Sequence, residues 1–181
     1  MGITSPRAET ISIWSLPRQE SRLHVLARRA VSVPAFLIAG LVALVTAPVT
    51  YPVAAVVDIA GRRRFATVRA IAMVHVFLAC EAAGILVTTW IWVTRGSDRD
   101  RYLQRNFRLQ CWWAGALYRA GVRIFSLREE IEGTELAANG PLLVFSRHVS
   151  PIDNLLPAVL ISGVHGLRLR WVINRSLLRD P

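Results

Sequence analysis

AVSVPAFLIAGLVALVTAPVTYPVAAVV, residues 30–57, runs for 28 positions without a charge. A helix needs about 20 predominantly apolar residues to cross the hydrocarbon core of a bilayer, so this stretch decides the architecture of the first half of the chain. A second run, residues 70–94, holds 25 positions interrupted only by His75 and Glu81. Asp58 and the basic cluster Arg62, Arg63 and Arg64 separate the two. Together they predict a membrane hairpin of two apolar helices over residues 30–95, preceded by a basic N-terminal segment, residues 1–29. Neither run has the short apolar stretch of a cleavable signal peptide. Trp90 and Trp92 sit where an interfacial aromatic belt belongs.

Charge leaves the topology of that hairpin balanced. Arg22, Arg28 and Arg29 precede it, Arg95, Arg99 and Arg101 follow it, and the loop carries Arg62, Arg63, Arg64 and Arg69. The positive-inside rule has little asymmetry to act on. Length favours two crossings, while Pro34, Pro48 and Pro52 allow the bend of a re-entrant hairpin. His75 and Glu81 are six apart and do not share a helical face; a packed or water-facing role is expected of each.

Composition agrees with a membrane segment. Of 181 residues, 53% are hydrophobic and 19% charged, and the mean hydropathy is +0.39. Such a chain is too apolar to be intrinsically disordered. Two cysteines, Cys80 and Cys111, exclude a disulfide framework and suit a reducing compartment, with Cys80 packed inside its apolar run. The net charge is +10, and all 22 basic residues are arginine. Arginine grips phosphate through a planar fork, but the companion excess of Ala, Val and Gly assigns the larger share of this bias to composition. The arginines are scattered around apolar segments with no nucleic-acid-binding motif among them, which excludes nucleic acid as a partner.

Residues 96–121 read as an amphipathic linking helix. Ser97 is the expected N-cap, with Asp98 and Asp100 in a first turn favoured by the helix dipole. Leu103, Phe107, Cys111, Ala114 and Tyr118 recur at helical spacing, Arg101, Arg105, Arg108 and Arg119 form a basic side, and Gly121 is the expected end. The helix either lies on anionic lipid or turns its apolar face to the next domain.

Beyond it, residues 122–181 are expected to start an α/β sheet domain. Val122–Leu127 alternates in part as a half-buried strand does, and Ile131–Leu136 completes a hairpin or opens a short helical turn. Asn139-Gly140-Pro141 is a turn signal. Leu142–Phe145 reads as a short buried strand, Asn154–Ile161 as an apolar helix, and Leu167–Ile173 as a further alternating strand. Strand, helix, strand at these spacings predicts an α/β fold.

The segment His148-Val-Ser-Pro-Ile-Asp153 carries the chemistry. A histidine at the end of a strand stands at a sheet's rim, and the turn into the following helix brings Asp153 back towards it. In such a pair the carboxylate sets the imidazole tautomer while His148 takes a proton from a hydroxyl. Helix initiation explains the other letters equally well: Ser150 is an N-cap, Pro151 a first helical residue and Asp153 the acid of a capping box.

The order of these features resembles the glycerophospholipid acyltransferase family, of the 1-acylglycerol-3-phosphate acyltransferase type. Gly121-Val-Arg-Ile, then Gly140-Pro-Leu-Leu-Val-Phe-Ser-Arg-His-Val-Ser-Pro-Ile-Asp153, and the Trp171–Pro181 segment carry the likeness. The resemblance implies acyl transfer from acyl-CoA or acyl-carrier protein to a lysophospholipid or glycerol-phosphate hydroxyl, with no cofactor and no metal. It makes His148 the general base and Asp153 its positioning carboxylate. It also implies a cytoplasmic membrane protein whose α/β domain faces the cytoplasm. Arg147 stands where the family often has asparagine, and is a candidate phosphate contact or a strand-edge residue. Pro157 inside the expected helix predicts a short or kinked one. His148 and His165 lack the partner set of a metal site.

The family's Gly-x-x-Phe-x-x-Arg and Pro-Glu-Gly-Thr blocks do not occur by Pro181. Glu132-Gly133-Thr134 imitates the second but precedes His148 and lacks the proline. The expectation is a truncated acyltransferase, inactive or severely impaired. The alternative is a noncatalytic, membrane-anchored protein that binds lipid or a partner through its arginines.

Overall fold

The computed structural model describes residues 22–138, 142–146 and 150–170. Three long helices dominate: α1, Arg22–Ala60; α2, Ala66–Val93; and α3, Arg99–Phe125. Two 3-10 turns, Thr134–Ala137 and Pro151–Asn154, and one π-helical turn, Ala158–Gly163, follow. α1 packs on α2, α2 on α3, and α3 on the Ala158–Gly163 turn.

α1 continues through Pro34, Pro48 and Pro52 without a break. The stretches 26–60 and 66–93 have hydropathies of 2.3 and 2.1, long and apolar enough to cross a membrane. Their most apolar windows are 0% and 6% buried, so these are not the core helices of a soluble bundle. Leu41, Leu44, Val45, Val56 and Leu86 are all more than half exposed. Apolar surface on this scale requires an apolar environment, and it puts the chain at a membrane.

The α1–α2 turn is built around Asp58. Phe65, which precedes α2, is left-handed (φ 60°) and supplies no side-chain cap. The carboxylate of Asp58 does so from the end of α1, accepting the amides of Thr67 at 3.2 Å and Val68 at 3.0 Å. Asp58 is 2% exposed. Arg62 and Arg64 are also left-handed, a conformation that costs about 1–2 kcal/mol in a residue with a Cβ; the buried carboxylate helps to hold this turn in place. Gly61 is required here, since a Cβ would stand 3.1 Å from the Val57 carbonyl oxygen.

His75 joins α1 to α2 further along. Its ring nitrogens lie 2.9 Å from the Ile71 oxygen and 3.0 Å from the Ala43 oxygen, and the ring is tilted against Tyr51. Its role is packing between the helices.

The expected α/β sheet is overturned: every regular element among the described residues is helical, and none of those residues forms a strand. The alternation over Val122–Leu127 is overridden because Leu117, Tyr118, Gly121 and Val122 continue the apolar spacing of α3, which runs to Phe125 and ends on left-handed Ser126. Ile131–Leu136 takes the helical-turn alternative at Thr134–Ala137. Leu142–Phe145 is not a buried strand, with Leu143 82% and Phe145 86% exposed. A strand is held by a ladder partner, and none of the described segments provides one. Residues 167–170 are irregular, while the turn 139–141 and residues 171–181 lie outside the described residues.

Two details of α3 also differ. Its N-cap is Asp98 rather than Ser97, with the carboxylate accepting the Arg101 amide at 3.0 Å. Gly121 is an internal contact rather than an end: a Cβ there would meet Ile152 Cδ1 at 3.0 Å. The segment after Asp153 is short and irregular, as Pro157 predicts, with a π-helical turn in place of a regular helix.

Candidate functional site

The Ser150–Asp153 turn follows directly from its residue types. Ser150 is extended (φ −135°, ψ 157°), Pro151 opens the 3-10 turn, and the Asp153 amide donates to the Ser150 carbonyl at 3.1 Å. The Asp153 carboxylate returns to the serine: Oδ2 accepts the Ser150 amide at 2.7 Å and Oδ1 accepts its hydroxyl at 3.2 Å. The Asp153 side chain is half-buried. The adjacent Ile152 packs on Gly121 of α3, which seats the turn against the helix that follows the membrane hairpin. Arg147 and His148, the other two predicted site residues, lie outside the described residues.

α3 supplies a second constellation beside that contact. Ala114, Leu117 and Tyr118 are buried, as are Ala158 and Ser162 of the turn that packs on α3. The Tyr118 hydroxyl donates to Glu129 Oε2 at 2.6 Å. Burial and the neighbouring carboxylate push the phenol up to about 12, because both oppose a phenolate. A cavity of about 410 Å³ opens here, lined by Tyr118, Arg119, Val122, Arg123 and Glu129. His165 Nε2 lies 2.9 Å from the Thr134 carbonyl oxygen and ties the loop after α3 to the segment packed on it. Arg168 stacks 5.8 Å from the Phe107 ring centroid.

A third feature joins all three helices. Trp113 Nε1 donates to Glu81 Oε1 at 3.0 Å, in a groove of about 520 Å³ that Arg29, Thr88, Asn106 and Gln110 also line. The six-residue offset read from the sequence thus has a physical meaning: His75 faces α1 and Glu81 faces α3. The pairing of Glu81 with Trp113 spans 32 residues, and no local pattern announces it. Asp58 was equally invisible as a cap, although an acid closing an apolar run just before a turn is a usable signal. Tyr118 appeared in the sequence only as a member of an apolar stripe.

No protein family, curated protein or solved structure matches this chain.

Proposed function

We propose that this chain is a membrane-anchored acyltransferase of the glycerophospholipid type that faces the cytoplasm and acylates a lysophospholipid or glycerol-phosphate hydroxyl. The donor is acyl-CoA or acyl-carrier protein. His148 takes the hydroxyl proton, the alkoxide oxygen bonds to the thioester carbonyl carbon, and collapse of the tetrahedral intermediate breaks the C–S bond. The departing thiolate takes the proton back from His148. Asp153 orients the imidazole and stabilises its cationic form. Arg147 is a contact for the acceptor's phosphate.

The observation that carries this reading is Asp153 itself. Its carboxylate is locked to Ser150 five residues after His148, on a turn that packs against α3 beside the membrane helices. Neither role requires a sheet, only a fixed carboxylate and a histidine within reach of it.

The test follows the His148 imidazole by NMR in the detergent-solubilised chain, and acylation of lysophosphatidate in membranes that carry it. Replacing Asp153 by Asn lowers the His148 titration midpoint, since a carboxylate neighbour favours the imidazolium. Whatever acylation the membranes support disappears in His148→Ala. A His148 midpoint indifferent to Asp153→Asn, or acylation that persists with alanine at 148, overturns the proposal.

A further inference from the structure

α3 has three sides, and each meets something different. Asn106, Leu109 and Trp113 line the groove shared with α1 and α2. Leu117, Tyr118 and Gly121 are buried, and a Cβ on Gly121 would meet Ile152 of the segment that packs on the helix. The third side carries Arg101, Arg108, Trp112, Arg119 and Arg123, all of them exposed. Their spacings are seven, four, seven and four, which at about 3.6 residues per turn keeps them in one stripe along the helix. Gly115 lies in the interval between Trp112 and Arg119, and the Arg119 guanidinium rests over it, where a Cβ would stand 3.0 Å from Nη1. Residues 101–125 contain no Asp or Glu, and among the described residues none of the stripe's arginines makes an ion pair. Arg119 and Arg123 are four apart, an unfavourable spacing for like charges, so the helix supplies no counter-charge of its own.

We infer that this side of α3 is a docking surface for an anionic bilayer, with each arginine set against a separate lipid headgroup rather than all of them on one ligand. Arg105 Nη1 donates to Thr94 Oγ1 at 3.0 Å and Trp113 Nε1 to Glu81 Oε1 at 3.0 Å. These contacts hold α3 antiparallel along α2, an apolar helix whose most apolar window is only 6% buried, and so keep it at the membrane. Guanidiniums are too costly to place in hydrocarbon, which sets the stripe in the headgroup layer. Trp112, 46% exposed in the middle of the stripe, belongs in the same layer, because an indole joins an apolar ring to a polar N–H. Anionic diester lipids supply the negative charge that the helix lacks, and the arginine fork matches their phosphate oxygens. The surface rests on the membrane placement of the hairpin and not on the acyltransferase reading.

The test uses the full chain in nanodiscs of equimolar phosphatidylcholine and phosphatidylglycerol. Spin-labelled versions of the two lipids report how strongly each is held at the protein surface. Phosphatidylglycerol is preferred, and the preference weakens as added salt screens the charges. Arg108→Gln combined with Arg119→Gln lowers it about fivefold per arginine, the effect of one basic residue at an anionic surface. Arg99→Gln combined with Arg128→Gln removes the same charge from exposed positions off the stripe and leaves the preference nearly unchanged. A nitroxide on Trp112→Cys, in a chain with Cys80 and Cys111 replaced by alanine, lies at headgroup depth and is shielded from a water-soluble relaxation agent. Equal losses from the two arginine pairs, or a label at residue 112 fully open to that agent, overturns the inference. Release of the spin-labelled phosphatidylglycerol by a short DNA duplex at matching phosphate concentration also overturns it, since the stripe then belongs to a nucleic acid.

Discussion

Asp58 caps α2 from nine and ten residues away, across a turn with three left-handed non-glycine residues, whereas Asp153 caps a turn to which it belongs, three residues from Ser150. Both carboxylates satisfy backbone amides at a helical start. The difference lies in what holds the acid in place. Asp153 needs only the local geometry of Ser-Pro-x-Asp, and it stays half-buried. Asp58 is reached only after α1 and α2 have closed on each other, and it is buried in the closure. One is a local cap, and the other is a tertiary lock.

Asp58→Ala sharpens this comparison most. It leaves the half-buried Thr67 and Val68 amides at the start of α2 without their acceptor. The expected result is the largest loss of thermal stability of any single change discussed, several degrees in detergent micelles, followed by the loss of helical circular dichroism. A variant as stable as the parent breaks the distinction. Ser150→Ala has a smaller effect, since it removes a local cap worth about 1 kcal/mol. It lowers the unfolding midpoint slightly and loosens Asp153, which appears as faster amide exchange over residues 150–155. If it destabilises as much as Asp58→Ala, the cap at residue 150 is tertiary as well.

The smallest effect belongs to alkaline pH. Tyr118 has its folded-state midpoint raised from 10.0 to about 12, so its contribution to stability is complete below pH 10 and is lost as pH rises through 12. The unfolding midpoint of the parent chain therefore declines across that window. Tyr118→Phe removes this part of the decline, and an unaltered profile in that variant excludes the Tyr118–Glu129 pair as its cause.

Particular residues show how far sequence reasoning reaches. The apolar runs at 30–57 and 70–94 were legible because a charge-free stretch of that length has few other uses. α3 was legible through its spacing, and the Ser150–Asp153 cap through residue types three apart. The strands were not. Val122-Arg-Ile and Leu142–Phe145 alternate or cluster in ways that fit a strand, but pairing is decided by a distant partner. At Val122 the helical period of α3 had already claimed the residues. The contacts Glu81–Trp113 and Tyr118–Glu129 were hidden for a related reason, since each partner alone reads as an ordinary member of a helix or a loop.

By itself, then, the order of amino acids determined the membrane-seeking hairpin, the amphipathic helix after it and the local cap at Asp153. These depend on hydrophobicity, helical period and hydrogen bonds within a few residues. Only the tertiary structure decided that Asp58 is a buried cap, that Glu81 and His75 serve different neighbours, and that Tyr118 donates to Glu129 in the loop after α3. Those outcomes require groups far apart in the chain to meet, and the free energy of such meetings depends on packing that no short window of sequence contains.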